Sequence, residues 1–261
     1  MSAALYPLVV ERAWDTTPRA RVAQLRVPES LREVFSYHSG QYVLIQVDNH
    51  GVVEEHAYSL CSSPLTGEPL TIAVKRSGES GVAGLVQSML QPGAVLHVGA
   101  PRGAFGLDLQ ADIQRTIVFV AGGSGITPLF SLAKTVLYGE PQSSVILLFG
   151  NTEPSEVMFA EELSDLCREF GERLTIVHVL ENLPENSSSL VGTCHQGRID
   201  QDALLAAIPR EALRSATTEV FLCGPSGMIA SVSRTLGVLG VGSEHIHFES
   251  FSSTAPSSSL T

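Results

Sequence analysis

The rhythm of apolar residues changes once along this chain, near Asp112, and that change limits the fold more than any single motif does. Before it, short apolar segments at 8–11, 20–27, 42–47, 57–62, 70–75 and 95–100 are separated by turn residues such as Pro28, Gly40, Asn49, Gly51, Pro64, Gly67, Pro92 and Gly93. Short strands at this spacing predict a small antiparallel barrel of six strands. One helical stretch at 82–90 interrupts them, with Leu85, Met89 and Leu90 on one face. After Asp112, uniformly apolar strands at 116–121, 144–149, 174–180 and 219–222 alternate with helices at 128–138, 155–170, 200–207 and 226–239. That alternation predicts a parallel sheet covered on both faces. The expected architecture is therefore two-domain: an N-terminal antiparallel β-barrel over 1–110 and a C-terminal α/β parallel-sheet domain over 111–251, joined within 107–114. The loop 181–197 is polar and Ser-rich, and is expected to be mobile. Residues 252–261 are nearly all Ser, Thr, Ala and Pro; they cannot bury a core and read as a linker-like tail.

A chain of 261 residues has room for two cores. The formal net charge of -11 argues against nucleic acid or an anionic membrane as partner. The charge is uneven, net -2 over residues 1–110 and -9 over the remainder, so the N-terminal half is the less repulsive surface for an acidic protein partner. Every apolar run is broken well short of membrane-spanning length, and residues 1–11 lack the basic start and cleavage site of a signal peptide. The expected location is the cytoplasm. Cys61, Cys167, Cys194 and Cys223 show no metal-type spacing and are expected to be isolated thiols, with no metal site.

Two Gly-rich turns carry the chemistry. In AGGSGITPL, at 121–129, an apolar strand runs through Gly122, Gly123, Ser124 and Gly125 into a helix whose first turn holds Thr127 and Pro128. Glycine lets a pyrophosphate approach the backbone, and the helix start offers unpaired N–H groups at the positive end of its dipole. In LCGPSGMI, at 222–229, a second strand ends on Cys223, and Gly224 and Pro225 turn into a helix carrying Met228. Ligands of open parallel sheets sit outside the carboxyl ends of the strands, so the two turns are expected to share one site. Other candidates read as structural. His178 lies on an apolar strand and is expected in the core. His245 and His247 flank Ile246 at strand alternation, with no third metal ligand nearby, and are expected on a solvent-facing strand edge. The neighbours Cys194 and His195 sit in a polar loop that rarely holds catalytic geometry.

The order of HAYSLCSS, TIAVKR with a glycine-bearing helix start, PRGAFG, AGGSGITPL, FGN and LCGPSGM resembles that of ferredoxin–NADP reductase-like proteins. Within that family the chain is most similar to the reductase components of bacterial multicomponent oxygenases, of the phenylacetyl-CoA epoxidase reductase subunit type. The likeness runs from about residue 8 to 251 and includes SGQYV, GRID and the ending IHFESF. It implies a barrel that binds FAD and an α/β domain that binds NADH or NADPH. Tyr58 would stack on the flavin and Ser59 would sit by its reactive edge. Val74 and Lys75 would border the ring, and Gly81, Val82 and Ala83 would face the phosphates. Residues 122–127 would hold the nicotinamide dinucleotide, with Asn151 nearby. Cys223 would lie where the nicotinamide approaches, and Glu249 and Phe251 would close the flavin site. Ser59, Cys223 and Glu249 are the implied catalytic set. The implied reaction passes electrons from NAD(P)H through FAD to a ferredoxin-like or oxygenase partner, or to a small-molecule acceptor.

Three positions depart from the family pattern. The Arg of the family's RxYS motif, which pairs with the cofactor phosphate, is His56 here, preceded by Glu54 and Glu55; imidazole lacks the guanidinium fork. The family's helix-start Ser is Ala83. Where relatives read GNRT, Asn151 is followed by Thr152 and Glu153, and an acidic residue opposes a 2′-phosphate, which favours NADH. The plant-type iron–sulfur module that many oxygenase reductases carry has no counterpart in this sequence. Two other readings stay open on these residues: a free-flavin reductase, or a redox-silent member whose cleft serves another purpose.

Overall fold

A computed structural model describes residues 4–76, 78, 81–184 and 190–251. The tail 252–261 and residues 185–189 of the polar loop lie outside the described residues.

The first sheet contains β1 (Leu5–Thr17), β2 (Ala20–Arg26), β3 (Tyr42–Asn49), β4 (Val52–Ser59), β5 (Leu70–Lys75) and β6 (Val95–Gly99). Its strands pair antiparallel in the order β4-β3-β6-β1-β2-β5. The sheet curls until the residues just past β4 meet β5. An antiparallel bridge joins Leu60 to Ile72, and the Cys61 N–H donates to the Thr71 carbonyl at 2.9 Å. Alternation decides which side is inside: in β3, Val43, Ile45 and Val47 are buried while the residues between them stay half-exposed. The helix α1 (Val82–Met89) buries Val86, with Leu90 just past its end; Leu85 and Met89 are only partly covered. The buried stripe is thus turned slightly from the expected one.

The second sheet contains β7 (Thr116–Gly122), β8 (Ser144–Asn151), β9 (Leu174–Leu180), β10 (Thr193–Gln196), β11 (Glu219–Cys223) and β12 (Ile246–Glu249). All pairings are parallel, in the order β10-β9-β8-β7-β11-β12. The helices α2 (Ile126–Gly139) and α3 (Ala160–Phe170) cover one face; α4 (Gln201–Ala207), α5 (Arg210–Leu213) and α6 (Ser226–Val238) cover the other. The chain builds outward from β7 through β8 to β10, then returns to lay β11 on the opposite side of β7. The strand order therefore reverses between β7 and β11, which opens a crevice at their carboxyl ends.

Several elements differ from the sequence reading. The helix expected over 155–170 begins only at Ala160. Val157 is extended and Phe159 takes a left-handed conformation (φ 61°), which turns Val157, Met158 and Phe159 into the core. The apolar rhythm does not announce β10 or α5, because each is short and largely polar on one side. In β10, Cys194 pairs with His178 and His195 with Val179, so Cys194 and His195 point to opposite faces and cannot act together. The residues from Ile246 form the edge strand β12, which holds His247, whereas His245 ends the short turn before it. Both histidines are half-buried: His245 Nδ1 lies 3.1 Å and His247 Nε2 2.8 Å from the two oxygens of Glu219. Among the described residues, no group of three His, Cys, Asp or Glu is placed to hold a metal, and no helix is long and apolar enough to cross a membrane.

His178 lies in the core at 1% exposure, with Nε2 3.1 Å from the Val191 carbonyl and Nδ1 unpartnered. Burial pulls its pKa from 6.5 down to about 4, and the bond to Val191 opposes that only in part. The unfolded chain takes up this proton near pH 6.5 and the folded one near pH 4. The stabilisation from keeping the imidazole neutral is thus complete above pH 6.5 and is lost as pH falls toward 4. Urea unfolding at pH 7 and pH 5 should show a loss of about 2 kcal/mol in the parent that is absent in His178→Phe. An equal loss in both proteins would place the titration elsewhere.

Candidate active site

Both Gly-rich turns lie at the crevice between β7 and β11. A Cβ on Gly125 would stand 2.1 Å from the carbonyl oxygen of Cys223, so the first turn rests directly on the backbone of the second. Gly123 has φ +54° and open space where a side chain would be, which leaves its backbone bare toward the crevice. Met228, in the first turn of α6, packs against both Gly122 and Gly224, its sulfur and methyl group taking the space their side chains would need. Pro225 also borders Gly122. Neither α2 nor α6 has a side-chain cap or an acidic residue in its first turn. The Ile126 N–H is taken by the carbonyls of Gly123 and Ser124, and the positive dipole ends of both helices face this crevice without a neutralising acid. Thr127 is buried and its hydroxyl donates to the Ser124 carbonyl at 3.0 Å, so it shapes the turn.

Beside the crevice, Cys223 pairs in register with Glu249 of β12. Burial raises the Cys223 thiol pKa well above its usual range, and the nearby Glu249 carboxylate raises it further, so the thiol stays protonated. Burial alone moves the Glu249 carboxyl from 4.5 to about 7, and its Oε2 has no hydrogen-bond partner. Phe251, at the end of the described residues, is 47% exposed.

On the barrel, Glu54, His56 and Tyr58 lie on the same half-buried face of β4. His56 Nε2 lies 2.9 Å from the Glu54 carboxylate. Ser59 ends the strand at 4% exposure, its hydroxyl without a partner. Tyr58, Val82 and Ala83 all pack against the barrel core. Gly81 caps α1 with φ 131° and open space at its Cβ, again with no side-chain cap and no acid in the first turn. Val74 turns its side chain into the barrel core, and its carbonyl accepts from Gln87. Lys75 points away from the barrel to Glu156, 2.8 Å from its carboxylate. Asn151, at the end of β8, is 9% exposed, with neither its amide nitrogen nor its amide oxygen partnered. Glu156 escaped the sequence reading because Lys75 lies 81 residues away and no local pattern links them.

Comparison with known proteins assigns the class. The family described as oxidoreductase NAD-binding domain matches residues 119–234. The chain is 30% identical to a component of the 1,2-phenylacetyl-CoA epoxidase of Escherichia coli, across 94% of this chain and 67% of that protein. It is 32% identical to the ferredoxin reductase component of 3-ketosteroid-9-alpha-monooxygenase from Mycolicibacterium smegmatis, across 94% of this chain and 65% of that one. The chain thus spans about two thirds of the length of these relatives. In fold it is similar to the FAD/NAD-binding domain of a nitric oxide dioxygenase from Vibrio cholerae, with TM-score 0.76, 23% identity and coverage of 96% and 99%. The chain belongs to the ferredoxin–NADP reductase-like family, as an oxidoreductase of the NAD(P)H-dependent flavoprotein class.

Replacing Gly123 by Leu forces a left-handed backbone on a bulky residue and covers the bare turn. NADH titration of Gly123→Leu should show at least about a hundred-fold loss of affinity, the size expected when phosphate loses its backbone cradle. Flavin content should not change, because the barrel does not touch this position. Unaltered NADH affinity would move the dinucleotide away from this turn.

Proposed function

We propose that this protein takes hydride from NADH and passes the electrons through FAD to a separate ferredoxin-like or oxygenase component. Residues 1–110 serve as the flavin unit and 111–251 as the dinucleotide unit. What supports this reading is the convergence at one crevice of two helix starts free of acidic residues with Glu249, whose carboxyl burial raises to about 7, beside a neutral thiol. On the barrel side the residues present also suit the group. Ser59 has a buried, unpartnered hydroxyl and Gly81 leaves an open cradle at a helix start. Tyr58 would lie against the flavin ring, and the N–H groups at Gly81, Val82 and Ala83 would meet its phosphates. Bound flavin supplies the one chemistry side chains lack, accepting two electrons together and releasing them singly.

The chain's own contribution is orientation and charge. Gly122, Gly123, Ser124 and Gly125 hold the dinucleotide phosphates, and Cys223 and Gly224 present a small, uncharged floor to the nicotinamide. Thr152 and Glu153 stand where a 2′-phosphate would need a cation, and the Glu153 carboxylate already accepts from Ser155 at 2.5 Å. NADH is therefore the preferred donor. Phe251 would close over the flavin when it binds. A protonated Glu249 near the flavin would tolerate the negative charge gained there, as the nicotinamide becomes positive, better than an ionised one. A specific observation favours a second reading: His56 is held by Glu54, where the family's Arg would grip phosphate. That weakens the hold on flavin and fits a reductase that uses flavin as a passing substrate.

Titrating flavin-free protein with FAD separates the two. A complex that survives gel filtration supports the bound-cofactor reading, and rapid exchange supports the passing-substrate one. His56→Arg should tighten binding about ten-fold or more, the scale of a charged hydrogen bond gained. Absence of FAD binding at any concentration would overturn both. In the pH profile of kcat/KM for NADH, activity should fall as pH rises through about 7, where Glu249 ionises. Glu249→Gln should abolish that inflection; a profile with the same inflection would assign it to another group.

A further inference from the structure

The loop that leaves the carboxyl end of β8 connects the two domains in a way the reaction does not require. Its first residues are tied to the segment that leaves the neighbouring strand β9: the Asn151 carbonyl accepts from the Glu181 N–H at 3.1 Å, and the Thr152 carbonyl from the Asn182 N–H at 2.7 Å. Its later residues are tied to the barrel. Lys75, the last residue of β5, donates to the Glu156 carboxylate at 2.8 Å and to the Glu156 carbonyl at 3.2 Å. The two side chains are only 17% and 13% exposed, so water screens this pair weakly. Three residues on, the Phe159 N–H donates to the Thr16 hydroxyl of β1 at 2.8 Å. Phe159 also stacks on Phe130 of α2 with centroids 4.6 Å apart, and its left-handed backbone is sustained by this packing. Beneath the loop lies Asn151, whose buried amide keeps an unused donor and an unused acceptor.

We infer that Lys75 and Glu156, with the Thr16–Phe159 contact, are positioning residues through which the barrel sets the shape of loop 152–159 and so the affinity for the dinucleotide. The inference rests on the dinucleotide site proposed above. Its physical content is coupling between domains: a loop fixed at one end by the sheet and at the other by the barrel keeps the carboxyl edge of β8 preformed. Without the barrel's hold, ordering that loop becomes part of the cost of binding. Lys75 thereby differs from the role implied by family resemblance, since its ammonium group is directed to the loop.

The test is a double-mutant cycle read by NADH titration and by amide hydrogen exchange. Glu156→Gln should weaken NADH binding about five- to ten-fold, the range of coupling between contacting residues. KM for NADH should rise with it while kcat does not follow, and flavin content should stay at the parent level. Adding Lys75→Met to Glu156→Gln should cost less than Lys75→Met costs alone, because only the bond to the Glu156 carbonyl is then left to lose, and exchanging the two charges, Lys75→Glu with Glu156→Lys, should recover part of the affinity. Thr16→Val should raise the exchange rate of the Phe159 amide and weaken NADH binding in the same direction. Additive losses in the cycle, or NADH affinity of Glu156→Gln within two-fold of the parent, would overturn the inference. So would unchanged exchange at 152–159 in both variants, a result that needs no NADH. A parent protein that binds no NADH would defeat the underlying site assignment instead, and the exchange result would still decide whether the barrel holds the loop.

Discussion

The burial of α2 is the constraint on which the rest of this structure depends. Every residue from Ile126 to Leu137 is buried, which a helix on the outer face of an ordinary doubly covered sheet does not achieve. Here one side packs on the parallel sheet and the other on the barrel, and the resulting core includes Ala20, Val22, Cys61 and Ala73 from the barrel. The barrel-facing ridge is polar and fully engaged. Ser131 donates to the Ser62 carbonyl at 2.6 Å, and Thr135 meets the hydroxyls of Ser39 and, at 2.7 Å, Ser63. Lys134 reaches Glu68 at 2.5 Å while lying over the Phe130 ring. Buried polar groups that are all paired fix one docking geometry, because any slip leaves several of them without partners.

That fixed docking gives the crevice its form. The N-terminus of α2 carries the first Gly-rich turn, so the helix that joins the domains also points its positive end into the site. Its far end is anchored as firmly. Glu140, fully buried, accepts from Arg115 at 2.5 and 3.0 Å, from Ser143 at 2.8 Å and from the Gln110 N–H at 3.2 Å. Arg173 closes the same corner by donating to the carbonyls of Leu137, Glu140 and Ser143. The segment linking the two sheets is thus clamped to the helix that lies between them. Electron transfer between cofactors held by different domains needs this fixed spacing, since small displacements of reacting groups are costly.

Some of the polar groups left unpaired sit where ligands are proposed, while Arg76, Thr218 and Ser233 carry unpaired atoms elsewhere. Ser59, Asn151 and Glu249 each keep buried oxygen or nitrogen atoms without partners, against the general rule that buried polar groups are satisfied. His178 breaks the same rule but lies in the core, and it is better read as a histidine held neutral by burial. The contrast shows why an unpaired buried atom points to a ligand only when it also borders a crevice. The His56–Glu54 pair is the opposite case: an imidazole proposed to face the flavin phosphate but already held by a carboxylate.

Much of this was legible in the sequence, for physical reasons. Strands buried on both faces read as uninterrupted apolar runs, and strands with one wet face alternate, so the two sheets were visible as two rhythms. The turns around Gly122, Gly125 and Gly224 were visible because a backbone that must lie against another, as Gly125 lies against Cys223, admits only glycine. Residues 155–159 read as helix because nothing local reveals that Val157, Met158 and Phe159 must turn into a core completed by α2. Short edge elements such as β10 carry too little apolar pattern to be seen. Pairings that join distant segments, Lys75 with Glu156, Lys134 with Glu68 and Arg115 with Glu140, have no signature in the order of residues. The sequence by itself determined the two sheets and the place of the glycine turns, because those follow from local periodicity and backbone freedom. Only the tertiary structure decided which charges meet, which polar atoms stay unpaired and how the barrel grips the loop after β8, because those depend on distances that packing alone creates.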